Sequence, residues 1–349
     1  MAPAARRNRI AIATAVLAIA LVIGVVISAA IGQFPVAVTE VLGSLLNRVG
    51  LHTSWAPVEE LKDQALWQIR FPRIAMAVLV GAALAIAGCV MQAIFGNPLA
   101  EPGVVGVSSG AALGAAFAIA LGVTFAGAAG VAVFAFAGGV AATLLVYVTA
   151  RANGRTEVVT LLLTGIAINA FAGAGLALMI FMADTASREQ IIFWQLGSLN
   201  GSRWSEVAVV ALLGTAAAVV AFASARRYDL LALGERTAAH LGVRVERLRV
   251  VSIVVVAVLT GAAVAYVGII AFVGLVVPHA LRMIMGPGHR ALLPASALGG
   301  AVLLVFADVI ARTAVTGAEL PIGLITSLIG GPFFFYLLRR TRTSQGGWA

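Results

Sequence analysis

Eight stretches of this chain carry no charged residue, and that absence constrains its fold more than any other feature. They run from Ile10 to Thr39, Ile74 to Ala100, Pro102 to Ala150, Val158 to Ala183, Val207 to Ala225, Val250 to Leu281, Ala291 to Ala307 and Leu320 to Leu338. A helix that crosses a hydrocarbon layer of about 30 Å needs roughly 20 apolar residues, because it rises about 1.5 Å per residue. Most of the stretches therefore hold one crossing each. With 61% hydrophobic and only 11% charged residues and a mean hydropathy of +1.05, the chain lies outside the range of ordinary water-soluble domains.

Two stretches are too long for one helix. Pro102 to Ala150 divides where glycines crowd between Gly122 and Gly130, into a helix from about Val104 and another ending near Tyr147. Val250 to Met285 as one straight helix would measure about 54 Å, so a break is expected near Gly268 to Gly274. The result is an all-α integral membrane protein of about ten transmembrane helices, with both termini cytoplasmic.

Loop charge supports the even number. Sixteen arginines fall on the side of the termini: Arg6, Arg7, Arg9, Arg151, Arg155, Arg226, Arg227, Arg236, Arg244, Arg247, Arg249, Arg282, Arg290, Arg339, Arg340 and Arg342. Seven basic residues, Arg48, Lys62, Arg70, Arg73, Arg188, Arg203 and Arg312, fall on the other. The bias has the sign of the positive-inside rule, and nine spans would put the arginine-rich C-terminus outside. The net charge of +9 is dispersed among loops, which suits anionic lipid headgroups and not nucleic acid. Arg6 to Arg9 followed by an apolar run resembles a signal peptide, but the run reaches Ala30 and reads as a retained first helix. Cys89 is the lone cysteine, so no intramolecular disulfide forms.

Many-span topology points to solute transport, and the chain's omissions narrow the mechanism. Its only lysine, Lys62, has no glycine-rich phosphate loop before it, so ATP and Mg, if used, sit on a partner ATPase, with no cofactor on this chain. Ion-coupled carriers place ionisable groups in mid-membrane, whereas Glu40, Glu101, Glu157, Asp184 and Asp308 all lie near span ends. The histidines His52, His240, His279 and His289 are scattered, without the spacing of a metal site or a catalytic cluster. No catalytic residue and no metal ligand is expected. Glycines at Gly81 to Gly88 and Gly165 to Gly175 suit close helix packing.

Several ordered motifs carry a resemblance. They are Trp67-Gln68-Ile69-Arg70-Phe71-Pro72-Arg73, the span Val80 to Gly88, Met91-Gln92, Asn97 to Gly103 and Gly106-Val107-Ser108. Leu231 to Glu235 with Leu241-Gly242-Val243, Phe272 to His279, Asp308, Arg312 and Glu319 to Gly323 follow. From about Trp67 to Leu338 the chain resembles the FecCD family, permease subunits of ABC importers for ferric siderophores, haem and cobalamin. The resemblance implies a single permease domain over residues 1–349 in a bacterial inner membrane. It also implies a second copy of the chain with the pathway between the two, two ATPase subunits inside and a periplasmic or lipid-anchored substrate-binding protein outside.

It assigns roles as well. The polar segment 226–249 becomes the coupling segment, with Leu233, Gly234, Glu235, Leu241 and Gly242 at its centre and Leu233, Ala238, Leu241 and Val245 as a short apolar face. An amphipathic helix lying on headgroups would show the same pattern. Arg70, Arg73 and Arg312 become docking groups for the binding protein, since a guanidinium binds carboxylate with two bonds. Snorkelling, or for Arg312 a pair with Asp308 one turn earlier, is the alternative. His279 lies in a motif shared by cobalamin members and reads as structural. The outer segment Phe193 to Leu199 with Trp204 resembles haem and siderophore permeases more than the cobalamin one, though interfacial aromatics look alike. An iron complex, haem or a ferric siderophore, is the expected cargo; a cobalamin permease and an ion-coupled carrier are the alternatives, and the pathway residues are unassigned.

Overall fold

Apolar sequence has one way to satisfy its backbone in lipid with local bonds, and the charge-free stretches are accordingly helical. The structure, a computed structural model, describes residues 3–32, 35–57, 59–123, 128–152 and 155–344. The side chains of Arg6, Arg155, Arg340 and Arg342, counted in the charge bias, are outside those described.

The helices, in order, are α1 (Pro3–Ala30), α2 (Val38–Arg48), α3 (Glu60–Ala65), α4 (Phe71–Phe95), α5 (Val107–Ala120), α6 (Ala128–Thr149), α7 (Val158–Met182) and α8 (Thr185–Leu196). Then come α9 (Trp204–Ala223), α10 (Ala225–Leu231), α11 (Glu235–His240), α12 (Val245–Val267), α13 (Val273–Met285), α14 (His289–Thr313) and α15 (Ile322–Ser344). A π-helical turn over Leu66–Arg70 joins α3 to α4. A two-residue antiparallel pair, β1 (Arg151–Ala152) with β2 (Arg155–Thr156), closes the turn before α7.

Among the described residues seven helices are long and apolar enough to cross a membrane, and three more apolar helices are shorter: Val107–Ala120, Val273–Met285 and Ile322–Leu337. The expected breaks fall where glycine allows them. α12 ends at Gly268, with φ +73°, and Phe272 starts α13 from the left-handed region at φ +67°, conformations that a continuous helix cannot contain.

The core is built around α4, which packs against α9, α12, α13 and α14. Small residues make that possible. A Cβ on Gly81 would lie 2.2 Å from the Gly300 carbonyl oxygen, and one on Gly88 would lie 1.8 Å from that of Gly274. The packing expectation thus holds at Gly81 and Gly88 on α4, and at Gly165, where a Cβ would meet Val104 O at 1.9 Å; at Gly173 a Cβ would meet open space. α1 and α7 sit at the periphery, with 6% and 11% of their most apolar windows buried, as helices facing lipid or a further chain do.

Candidate functional site

Two clusters, one at each end of the bundle, gather the residues that the sequence singles out. At the arginine-rich end, α10, α11 and the start of α12 form a compact double turn. Gly234 (φ +101°) and Gly242 (φ +85°) bracket α11, and a Cβ on either would touch nothing within 4 Å. Both are therefore required for backbone conformation and not for space. Val243 N donates to Ala238 O at 3.0 Å and Gly242 N to Ala239 O at 3.0 Å, which closes the end of α11.

The short apolar face divides in two. Leu233 and Leu241 are 62% and 56% exposed, while Ala238 is fully buried and Val245 is half-buried. The single four-residue stripe expected from the sequence is thus replaced by two projecting leucines, because α11 spans only Glu235–His240 and the glycines turn the chain before and after it.

Ion pairs and hydrogen bonds hold this turn against the bundle. Arg249, buried, pairs with Glu235 and donates from Nη1 to Thr156 O at 2.9 Å. Glu246 accepts from Thr156 N at 3.1 Å and from its hydroxyl. Asp229 Oδ1 accepts from the His289 backbone N at 2.6 Å and lies 3.0 Å from its Nδ1, which fixes the Nδ1–H tautomer, since a carboxylate only accepts. Tyr228, fully buried, meets Ser252 Oγ at 2.9 Å, and burial pushes its phenol pKa up. Displacement of the turn would consequently be felt in α7, α12 and α14 together.

At the opposite end Arg70, Arg73 and Arg312 converge with Asn200 and Glu319 around a cavity of about 610 Å³. Arg73 Nη2 lies 2.9 Å from Asp308 Oδ1, and its Nη1 lies 3.0 Å from Glu319 Oε2. Arg312 Nε lies 3.1 Å from Asp308 Oδ2, one helical turn back, and its Nη2 donates to Ser28 Oγ at 2.7 Å. Arg70 donates to the carbonyls of Ala29 and Ala30 at the end of α1.

Here the structure corrects the expected exposure. Arg70 and Arg73 are each only 7% exposed: Arg70 turns its donors onto the carbonyls that end α1, and Arg73 turns its own onto Asp308, which at 1% exposed is costly to bury without cationic partners. The spacing of Asp308 and Arg312 predicts their pairing; nothing local predicts Arg73 as the second partner. Nearby, Trp204 Nε1 donates to Trp67 O at 2.7 Å, joining α9 to the π-turn. His279 Nδ1, on α13, is 3.4 Å from Pro98 O in the loop after α4, and His52 is exposed in the outer loop. Among the described residues no three His, Cys, Asp or Glu side chains are grouped to hold a metal ion.

The FecCD transport family model matches residues 20–340. The hemin transport system permease HmuU of Yersinia pestis is 42% identical over 292 residues, 82% of this chain and 87% of its own. The cobalamin import permease BtuC of Halobacterium salinarum is 44% identical over 282 residues, 81% of this chain and 75% of its own. The iron(3+)-hydroxamate permease FhuB of Bacillus subtilis is 38% identical over 301 residues, 84% and 77% of the two chains. A solved ABC transporter of metal-chelate type, in an inward-facing conformation, superposes with a TM-score of 0.82 at 32% identity, covering 94% of this chain and 98% of its own. The chain belongs to the FecCD transport family, and it is the permease of an ABC importer of the metal-chelate, haem and vitamin B12 type.

Proposed function

We propose that two copies of this chain form the path by which an iron complex, haem or a ferric siderophore, crosses a bacterial inner membrane. Two ATPase subunits holding ATP and Mg drive it from inside, and a substrate-binding protein loads it from outside. The observation that carries the coupling part is the exposure of Leu233 and Leu241 on a turn that the buried Ala238 and the Arg249–Glu235 and His289–Asp229 contacts hold against the bundle. Burying a leucine against a partner is worth about 1.5–3 kcal/mol, so these two, with Gly234, Glu235 and Gly242 shaping the turn, suit a helix-in-groove contact with the ATPase. The nearly unburied α7 supports a second copy at its face.

On the outside, Arg70, Arg73 and Arg312 are the docking groups of this proposal. An incoming carboxylate would compete with Glu319, whose side chain is 37% exposed, for Arg73. The similarity to a hemin permease and to a ferric hydroxamate permease favours iron. The cobalamin relative at 44% identity supports cobalamin as the second reading.

Proteoliposomes that contain the chain, its ATPase and its binding protein, offered haem, a ferric hydroxamate and cobalamin in turn, test both. ATP-dependent uptake of an iron complex is expected. Uptake of cobalamin alone removes the iron reading; uptake by the chain alone along an ion gradient removes the ATP-driven one.

A further inference from the structure

Beside the coupling turn lies a second basic cavity whose charges the chain leaves unanswered. Arg227 of α10, Arg244 before α12 and Arg247 in its first turn line a half-open cavity of about 500 Å³ together with Val219, Val220 and Leu248. Among the described residues none of the three guanidinium groups forms an ion pair or donates a hydrogen bond. The carboxylates close by in sequence are all engaged elsewhere: Glu246 with Thr156, Glu235 with Arg249 and Asp229 with His289. No acidic residue lines the cavity. Three exposed like charges that line one concavity without a counterion of the chain's own make it locally positive, a setting that an anion supplied from outside would relieve.

The walls say which kind. Val219 and Val220, at 59% and 40% exposed, lie on α9, one of the helices long and apolar enough to cross the membrane. The cavity is therefore basic at one rim and continuous with the hydrocarbon-facing surface at the other. No side chain caps α12 at Arg244, so the free N–H groups of its first turn add positive potential on the residues that line the rim. A soluble anion would need the arginines but not the valines.

We propose that this cavity binds the phosphate headgroup of an anionic phospholipid of the cytoplasmic leaflet, with an acyl chain along Val219 and Val220. Guanidinium groups match phosphate oxygens with paired hydrogen bonds, and basic pockets between spans on this side of a membrane suit such headgroups. Gly242, at the end of the coupling turn, also lines the cavity. A lipid held here braces the turn that faces the ATPase.

Native mass spectrometry of the purified full-length chain tests this, with phosphatidylglycerol and phosphatidylcholine supplied at equal concentration. Preferential retention of phosphatidylglycerol is expected. The triple variant Arg227→Gln, Arg244→Gln, Arg247→Gln is expected to lose about a hundredfold in that retention, from three arginine contributions. Arg226→Gln with Arg236→Gln, which leaves the cavity intact, changes it by less than about threefold. Val220→Trp, which blocks the apolar wall and keeps every charge, weakens phosphatidylglycerol retention but not binding of inorganic phosphate. Equal retention of the two lipids by the unaltered chain overturns the proposal without any variant. Unchanged retention in the triple variant overturns it in favour of a protein partner for these arginines, and insensitivity to Val220→Trp overturns it in favour of a soluble anion.

Discussion

Arg73 and Asp308, 235 residues apart in sequence, share one buried ion pair: Nε and Nη2 of the arginine both lie 2.9 Å from Asp308 Oδ1. The pair ties the outer end of α4 to that of α14, the two helices that also meet at Gly81 and Gly300. Asp308 serves Arg312 as well, through its other oxygen. One carboxylate therefore neutralises parts of two guanidiniums in a region that water reaches poorly.

Removing that carboxylate takes from Arg312 the one acidic partner it has among the described residues and leaves Arg73 only Glu319 at the rim. Asp308→Asn keeps the shape and deletes the charge, and breaking a buried pair in this way costs about 3–5 kcal/mol. Thermal unfolding of the detergent-solubilised chain should show a correspondingly large drop. A loss of under about 1 kcal/mol would mean that water or lipid phosphate replaces Asp308.

Glycine positions separate space from mere composition. Gly88→Ala places a methyl group 1.8 Å from the Gly274 carbonyl, forcing α13 off α4, and overpacking of this kind costs about 1–3 kcal/mol. Gly173→Ala, whose Cβ would meet nothing within 4 Å, should be neutral or stabilising by up to about 1 kcal/mol through helix propensity. Melting temperatures of the two variants, side by side, check the difference; an equal loss at both sites would point to a partner covering Gly173.

Spans are legible in this sequence because lipid forbids charge, so their limits are written as the first charged residue at either end. The breaks at Gly122 and Gly268 are legible for a related reason, as both glycines adopt positive φ. The short helices α2 and α8 are not, since an outer loop of mixed polarity carries no such prohibition. The coupling turn shows its glycines but not the direction of its leucines, which depends on where α11 stops. The Arg73–Asp308 pair is invisible to any local pattern: the spacing of Asp308 and Arg312 makes a sufficient pair of its own, and only the meeting of α4 with α14 adds Arg73.

The outer cavity gives a prediction of unusual sign for docking. Glu319 occupies Arg73 Nη1 at the half-exposed rim, where such pairs are worth about 0–1 kcal/mol. Glu319→Gln should therefore leave the fold nearly unchanged, free a guanidinium edge and strengthen binding of the substrate-binding protein, more so at low salt where screening is weak. Surface plasmon resonance on the reconstituted permease at several ionic strengths measures this. Unaltered affinity would remove Arg73 from the docking contact.

The coupling leucines allow function to be separated from stability. Leu233 and Leu241 are largely exposed, so Leu233→Ala with Leu241→Ala removes little that the isolated chain buries, and its melting temperature should stay within the range of ordinary surface changes, about 0.5 kcal/mol. Each leucine that inserts into an ATPase groove would forfeit about 1.5–3 kcal/mol there, and two together would weaken the contact by roughly two to four decades. ATP-driven uptake should collapse while membrane insertion and melting remain normal. Gly234→Ala gives the complementary result: its Cβ has room but its φ of +101° does not suit alanine, so about 1–3 kcal/mol of backbone strain redirects the turn and both stability and uptake fall. Should the double leucine variant transport normally in the same vesicles, the projecting leucines are lipid anchors, and the force from ATP enters the bundle elsewhere.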